Sequence, residues 1–183
     1  MFSGILYKLN ERESVALSVG ALSVVAALVG KFSYQGLIAV LIGFFFHEMA
    51  HRYFARKSNC SSRFVLDPLG LLITLLSSIL PIAFLAPGYV GIYCYGNVLE
   101  RRDMLRISAS GIFTNLLISL VGMLLFRFSP NFFSVLSMIN AWFALFNLIP
   151  FGPFDGAKIF SLSKLVWVGL FASSLAFYLF WIL

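Results

Sequence analysis

Apolar residues form long, nearly uninterrupted runs along this chain, and charged residues are confined mainly to the short segments between them. Five runs approach the ~20 residues with which an α-helix crosses a bilayer; they cover 14–30, 35–54, 107–126, 132–150 and 165–183. A sixth apolar run, 69–86, contains Pro81 and stops at Pro87-Gly88, which breaks a helix. The pattern predicts an all-α polytopic membrane protein with a re-entrant or hairpin segment at about 64–100.

Composition supports the same class. Of the 183 residues, 61% are hydrophobic and 11% are charged, whereas soluble domains contain about 25% charged residues. The length predicts a single integral membrane domain covering residues 1–183. A net charge of +6 is typical of basic loops that face the cytoplasm, so we expect no nucleic-acid partner. Cys60 and Cys94 have neither zinc-type nor redox-type spacing, and we expect two inert thiols.

Charge also predicts the orientation of the spans. The positive-inside rule places clusters of Lys and Arg in the cytoplasm. The chain has four such clusters: Lys8 and Arg12; Arg52, Arg56, Lys57 and Arg63; Arg101, Arg102 and Arg106; Lys158 and Lys164. The second and third clusters flank 64–100, so this segment must cross the bilayer an even number of times. Span 107–126 then runs outward, and span 132–150 runs inward to the side on which 35–54 ends.

The second span contains the sequence His47-Glu48-Met49-Ala50-His51, which holds the two histidines of the chain. Residues i and i+4 share one face of a helix, so both imidazoles can reach one ion. With Glu48 beside them, this is the H-E-x-x-H pattern of zinc hydrolases. Three such polar groups within a bilayer are costly unless they have a function. The sequence therefore predicts a metal site in the second span.

A third ligand is predicted at Asp155, within the segment Asn-Leu-Ile-Pro-Phe-Gly-Pro-Phe-Asp-Gly at 147–156. A carboxylate oxygen completes many two-histidine zinc sites, and Pro150 and Pro153 end the helix and free the backbone to turn. The deduced orientation brings Asp155 to the side of the two histidines, whereas an odd number of crossings would separate them by roughly a bilayer thickness, ~30 Å. Taken alone, Asp155 is equally well explained as an ordinary turn carboxylate.

These motifs, in this order, resemble the site-2 protease family of intramembrane zinc metalloproteases. The resemblance rests on the His-Glu-Met-Ala-His sequence and, about a hundred residues later, on Asn-Leu-Ile-Pro at 147–150 and Phe-Asp-Gly at 154–156. The sequence Ser-Gly-Ile-Phe-Thr-Asn at 110–115 is similar to the family's Gly-Pro-x-x-Asn pattern, with Ile112 in place of the proline. The resemblance covers roughly residues 35–156.

The resemblance implies a three-helix catalytic core formed by 35–54, 107–126 and 132–150, with added helices at about 14–30 and 165–183. The family often carries a PDZ or CBS domain. This chain has room for neither, so any regulatory input would come from another protein.

The resemblance also implies the cofactor and the roles of individual residues. One Zn²⁺ per chain would be held by His47, His51 and Asp155, with a fourth position left for water. Glu48 would act as the general base and then protonate the leaving amine. Asn147 is the first candidate for the donor that stabilises the oxyanion. Asn115 is the second candidate, and for it a hydrogen bond between helices is the favoured alternative.

The implied activity is hydrolysis of a peptide bond within or near a transmembrane helix of a membrane protein substrate. The charge bias predicts an active site toward the cytoplasmic side, and a prokaryotic plasma membrane is the simplest expectation for so small a chain. The substrate helix must unwind before cleavage, and we expect residues 89–95 to hold it extended by strand addition. The alternative is a non-proteolytic zinc-binding membrane protein, either a transporter or an inactive chaperone-like relative. Glu48 argues against this alternative, because ligation alone needs no general base.

Overall fold

The computed structural model describes residues 10–29, 34–77, 87–94 and 99–183. The described residues form seven helices and two strands: α1 (Glu11–Val29), α2 (Tyr34–Lys57), β1 (Ser61–Leu66), α3 (Pro68–Ser77), β2 (Gly88–Tyr93), α4 (Arg101–Leu125), α5 (Pro130–Asn147), α6 (Asp155–Leu162) and α7 (Lys164–Leu179). Each of the five predicted spans overlaps one of the long helices α1, α2, α4, α5 and α7. The mainly helical prediction is therefore confirmed.

Helices α2, α4 and α5 form the centre of the fold. Early residues of α4 contact late residues of α2, as between Ile107 and His51, and later residues of α4 contact earlier ones, as between Asn115 and Gly43. Helices α2 and α4 therefore run antiparallel. Helices α4 and α5 are also antiparallel, because earlier residues of α4 contact later residues of α5. Helices α2 and α5 therefore run in the same direction and end on the same side of the fold. This direction brings the C-terminal half of α2 next to the segment that follows α5.

Small and polar side chains occupy the contacts between these three helices. Ser119 of α4 and Ser137 of α5 are hydrogen-bonded at 3.0 Å between their hydroxyl groups, and both are fully buried. Gly122 allows α4 to approach α5 closely, because a Cβ there would lie 2.8 Å from the Phe133 carbonyl oxygen and 2.8 Å from Ser137 Cβ. Close helix contacts built from small residues are typical of helices that pack in a bilayer.

Large apolar side chains point outward from the same helices. Along α4 the exposed face carries Phe113, Leu117, Leu120, Val121 and Leu124. Among the described helices, α4 is the one that is long and apolar enough to cross a membrane by length and composition.

The strands β1 and β2 form an antiparallel pair in which Ser61 lies opposite Tyr93 and Leu66 lies opposite Gly88. The chain therefore returns at β2 to the place where it left α2, and it enters α4 from there. Helix α3 forms the first half of the apolar run predicted at 69–86, while Pro81 lies outside the described residues. The strand expected at 89–95 is present as β2 over its described part.

Cys60 and Cys94, which lie 34 residues apart in the sequence, form a disulfide. The expectation of two inert thiols was wrong. The spacing of the two cysteines along the chain contains no signal for this bond, because the pairing of β1 with β2 is what brings them together. The disulfide joins the two ends of the segment that contains β1, α3 and β2.

We expect Gly122→Ala to destabilise the fold, because the added methyl group meets backbone and side-chain atoms of α5 that cannot move independently. Overpacking of this kind costs about 1–3 kcal/mol, or roughly 2–10 °C in Tm for a chain of this size. Gly169→Ala is the matched control, since a Cβ there has no atom within 4 Å. Thermal unfolding of the two purified variants checks this, and an equal Tm for both would contradict the close α4–α5 contact.

Candidate metal and active site

The two histidines of α2 lie one turn apart and are buried against α4. His47 is 5% exposed and His51 is 7% exposed. Their Nε2 atoms are 3.1 Å apart, which follows from the i, i+4 spacing on one helix face. Both Nε2 atoms therefore point to one common position.

Helix α4 fixes the orientation of both rings through their other nitrogen. His47 Nδ1 lies 2.6 Å from the side-chain oxygen of Asn115, and His51 Nδ1 lies 2.8 Å from the backbone carbonyl oxygen of Ile107. A carbonyl oxygen accepts a hydrogen bond, so the hydrogen-bonding pattern assigns the proton of each ring to Nδ1. Each Nε2 then carries a lone pair, which is the form of histidine that binds a metal.

Asp155 reaches the same position from the segment that follows α5. It is the first residue of α6, and its Oδ2 atom lies 3.3 Å from His47 Nε2 and 2.9 Å from His51 Nε2. Its carboxylate oxygen therefore faces the lone pairs of both rings, as the third ligand of a shared metal would.

The turn between α5 and α6 is held in place from several sides. Gly152 adopts φ +72°, a conformation that glycine accepts without strain. Gly156 packs directly on the Leu148 carbonyl group, where no Cβ could fit. The indole N–H of Trp167 in α7 donates to the Leu148 carbonyl oxygen at 2.7 Å. At the far side of Asp155, Lys158 Nζ lies 3.4 Å from Oδ1, which leaves Oδ2 directed at the histidines.

The three side chains fit a zinc ion. Ligand atoms of a tetrahedral zinc with bonds of ~2.0–2.1 Å lie about 3.3 Å apart, close to the three separations in this cluster. Three acceptor atoms at such distances repel one another unless a cation lies between them. Gly111 leaves the space beside the two rings open, because a Cβ at this residue would lie 2.5 Å from His51 Nε2 and 2.7 Å from His47 Nε2. Among the described residues, His47, His51 and Asp155 form the one cluster that could hold a metal.

Glu48 is buried beside this cluster. Its Oε2 atom accepts a hydrogen bond of 2.8 Å from the backbone N–H of Val90 in β2. Glu48 and the three candidate ligands line one cavity of about 900 Å³. The walls of this cavity include β2, the start of α3 and the turn that carries Asp155. The cavity brings a carboxylate, the candidate ligands and a strand edge together.

The two asparagines differ in position. Asn115 is fully buried behind His47, and its amide nitrogen donates to the Gly43 carbonyl oxygen at 3.2 Å and to Asn140 Oδ1 at 3.0 Å. It therefore has the interhelical hydrogen bonds that the sequence favoured for it. Asn147 lines the cavity, and its amide nitrogen donates to the Phe143 carbonyl oxygen at 3.0 Å within its own helix.

One contributor was missed by the sequence analysis. Asn140 of α5 is fully buried and holds Asn115, with its own amide nitrogen bonded to the Leu136 carbonyl oxygen at 2.8 Å. An asparagine in an apolar run is itself a signal, because it needs partners there. Gly111 belongs to the sequence that resembles the family's Gly-Pro-x-x-Asn pattern, but its closeness to both histidine rings depends on the contact between α2 and α4.

Comparison with known proteins gives a relative along nearly the whole chain. The chain is 32% identical over 185 residues to a protein of Methanocaldococcus jannaschii named "Putative zinc metalloprotease MJ0611", and the match covers 90% of this chain and 93% of that protein. No protein-family model and no solved structure matches the chain. The match along nearly the whole chain and the buried cluster of His47, His51 and Asp155 both indicate a zinc metalloprotease. The chain belongs to the zinc metalloprotease family of this archaeal relative.

Proposed function

We propose that this chain is an intramembrane zinc endopeptidase of the site-2 protease type, which cleaves a peptide bond within or near a transmembrane helix of a membrane protein. The observation that carries the proposal is the place of Glu48. Its carboxylate adjoins the candidate metal ligands on the same helix and lines the cavity that they share with β2. A protein that only binds or transports zinc needs the ligands but not this carboxylate.

Each residue of the cluster has a role in hydrolysis. His47, His51 and Asp155 would hold zinc, one ion per chain, which would supply a Lewis acid and lower the pKa of bound water to ~7. Glu48 takes a proton from the attacking water while the water oxygen bonds to the scissile carbonyl carbon. The C–N bond then breaks, and Glu48 returns the proton to the leaving amine nitrogen.

Asn147 is the proposed donor to the oxyanion that forms on the carbonyl oxygen. A side-chain amide has two N–H groups. One of them donates to Phe143, and the other remains for a substrate in the cavity. Asn115 is placed differently, since its amide is buried and bonded between helices, so its proposed role is to orient His47.

The distribution of side chains supports a membrane location. Large apolar residues cover the outer face of α4, whereas serine, asparagine and glycine fill the contacts between helices. A lipid environment tolerates this outer face, and water does not. We propose that the five long helices cross the membrane of a prokaryotic cell as one domain, with the metal site toward the cytoplasmic side where basic residues cluster.

The edge of β2 supports a role in holding the substrate. A transmembrane helix hides its carbonyl groups in hydrogen bonds, so it must become extended before cleavage. Within the described residues, β2 pairs with β1 and with no third strand, and it lines the cavity beside Glu48. We propose that the extended substrate adds to this free edge.

We expect Glu48→Gln to bind zinc like the wild type and to lose peptide cleavage by at least about 100-fold, the usual contribution of a general base. Glutamine keeps the shape of the side chain and removes its basicity. The measurement combines elemental analysis of bound zinc with cleavage of a panel of transmembrane peptides, on protein purified in detergent. Zinc in both proteins with equal cleavage, or with cleavage in neither, would contradict the proposed endopeptidase.

We expect Asn115→Leu and Asn147→Leu to separate the two proposed roles. Loss of a residue that orients a metal-binding histidine weakens metal affinity by about 10–100-fold, so Asn115→Leu should weaken zinc binding by this factor. Asn147→Leu should leave zinc affinity unchanged and lower kcat. Competition with a zinc chelator measures the first effect and peptide cleavage the second. The opposite pattern would exchange the two roles.

A further inference from the structure

The paired residues Phe64 and Val90 direct their N–H groups away from each other. Alternate residues of an antiparallel strand point their N–H and C=O groups toward the partner strand or away from it. Phe64 lies opposite Val90. The N–H of Val90 donates to Glu48 Oε2 at 2.8 Å, and the N–H of Phe64 donates to Glu11 Oε1 at 3.1 Å. Both groups therefore lie on outer edges of the two-stranded sheet.

The carboxylates of Glu11 and Glu48 thus bind the two opposite edges of the sheet at the same residue pair, Phe64 and Val90. On the β1 side, Glu11 of α1 also pairs with the Arg52 guanidinium, so this edge is covered by α1. On the β2 side the carboxylate is Glu48, and this edge faces the cavity. The two contacts are alike in chemistry and opposite in position, which makes Glu11 a natural control for Glu48.

We propose that Glu48 Oε2 occupies the place on β2 that a substrate backbone carbonyl takes, so that an extended substrate releases the general base as it binds. This inference rests on the proposed function and names the element of the site that couples substrate binding to catalysis. The competition is direct. A strand that adds to the open edge of β2 uses the N–H of Val90, and Glu48 already accepts from that N–H.

In this exchange one hydrogen bond to the Val90 N–H replaces another. The carboxylate loses a charge-assisted hydrogen bond, and the substrate carbonyl gains a backbone hydrogen bond. Glu48 lies next to His47 in sequence and lines the same cavity, so the proposed release moves its carboxylate within that cavity. The general base is therefore bonded to the backbone until a peptide of suitable shape replaces it.

The test measures binding to the full-length, zinc-loaded protein in detergent, at times before mass spectrometry detects any cleaved peptide. The probe is an uncharged peptide of ten Val and Thr residues with blocked ends and a fluorescent label. We expect Glu48→Ala to bind this peptide about 10-fold more tightly than wild type, because the charged acceptor that competes for the Val90 N–H is gone. Glu48→Gln should bind with intermediate affinity, because a neutral amide oxygen competes more weakly.

Two controls make the result specific. Glu11→Ala removes the equivalent carboxylate from the covered edge and should not tighten binding. A probe with methyl groups on every backbone nitrogen has no N–H group on either edge and cannot add as a strand, and it should bind neither wild type nor Glu48→Ala.

Equal or weaker binding by Glu48→Ala would overturn the proposal, as would equal tightening by Glu11→Ala or absence of probe binding by every variant. These outcomes are distinct from failure of the proposed function, which depends on zinc content and on cleavage by the zinc-loaded wild type.

Discussion

Three hydrogen-bond acceptors facing one another in a buried interior are the constraint on which the rest of this structure depends. The Nε2 atoms of His47 and His51 and the Oδ2 atom of Asp155 lie about 3 Å apart, and a shared metal ion makes this arrangement favourable. Holding them there requires two segments more than a hundred residues apart. The direction of α2 relative to α5, the turn after α5 and the hydrogen bonds from α4 all serve this requirement.

Polar contacts inside the core extend from the metal position through the helices. Asn140 bonds Asn115, and Asn115 bonds His47, so that a chain of amides crosses from α5 through α4 to α2. In an apolar interior such groups are costly unless each has a partner. The hydrogen bonds that give Asn140 and Asn115 their partners also fix the ring of His47. The same bonds therefore stabilise the core and orient a candidate metal ligand.

The two-stranded sheet is the element that we propose to bind the substrate beside this core. The disulfide between Cys60 and Cys94 closes the segment at one end, and Glu11 and Glu48 hold the opposite edges of the strand pair at Phe64 and Val90. These contacts fix the position of the β2 edge relative to the candidate metal ligands, with which it lines one cavity. In the proposed mechanism, recognition of an extended backbone and proton transfer depend on the same carboxylate, Glu48.

The sequence by itself determined the long helices and the ligand types, because apolar runs and the i, i+4 spacing of two histidines are local signals. It also predicted Asp155, because basic clusters constrain the direction of the spans. Only the tertiary structure decided the disulfide, the closeness of Gly111 to the metal position and the bond from Val90 to Glu48. These depend on contacts between residues far apart in the chain, and the spacing of residues along one segment does not encode them.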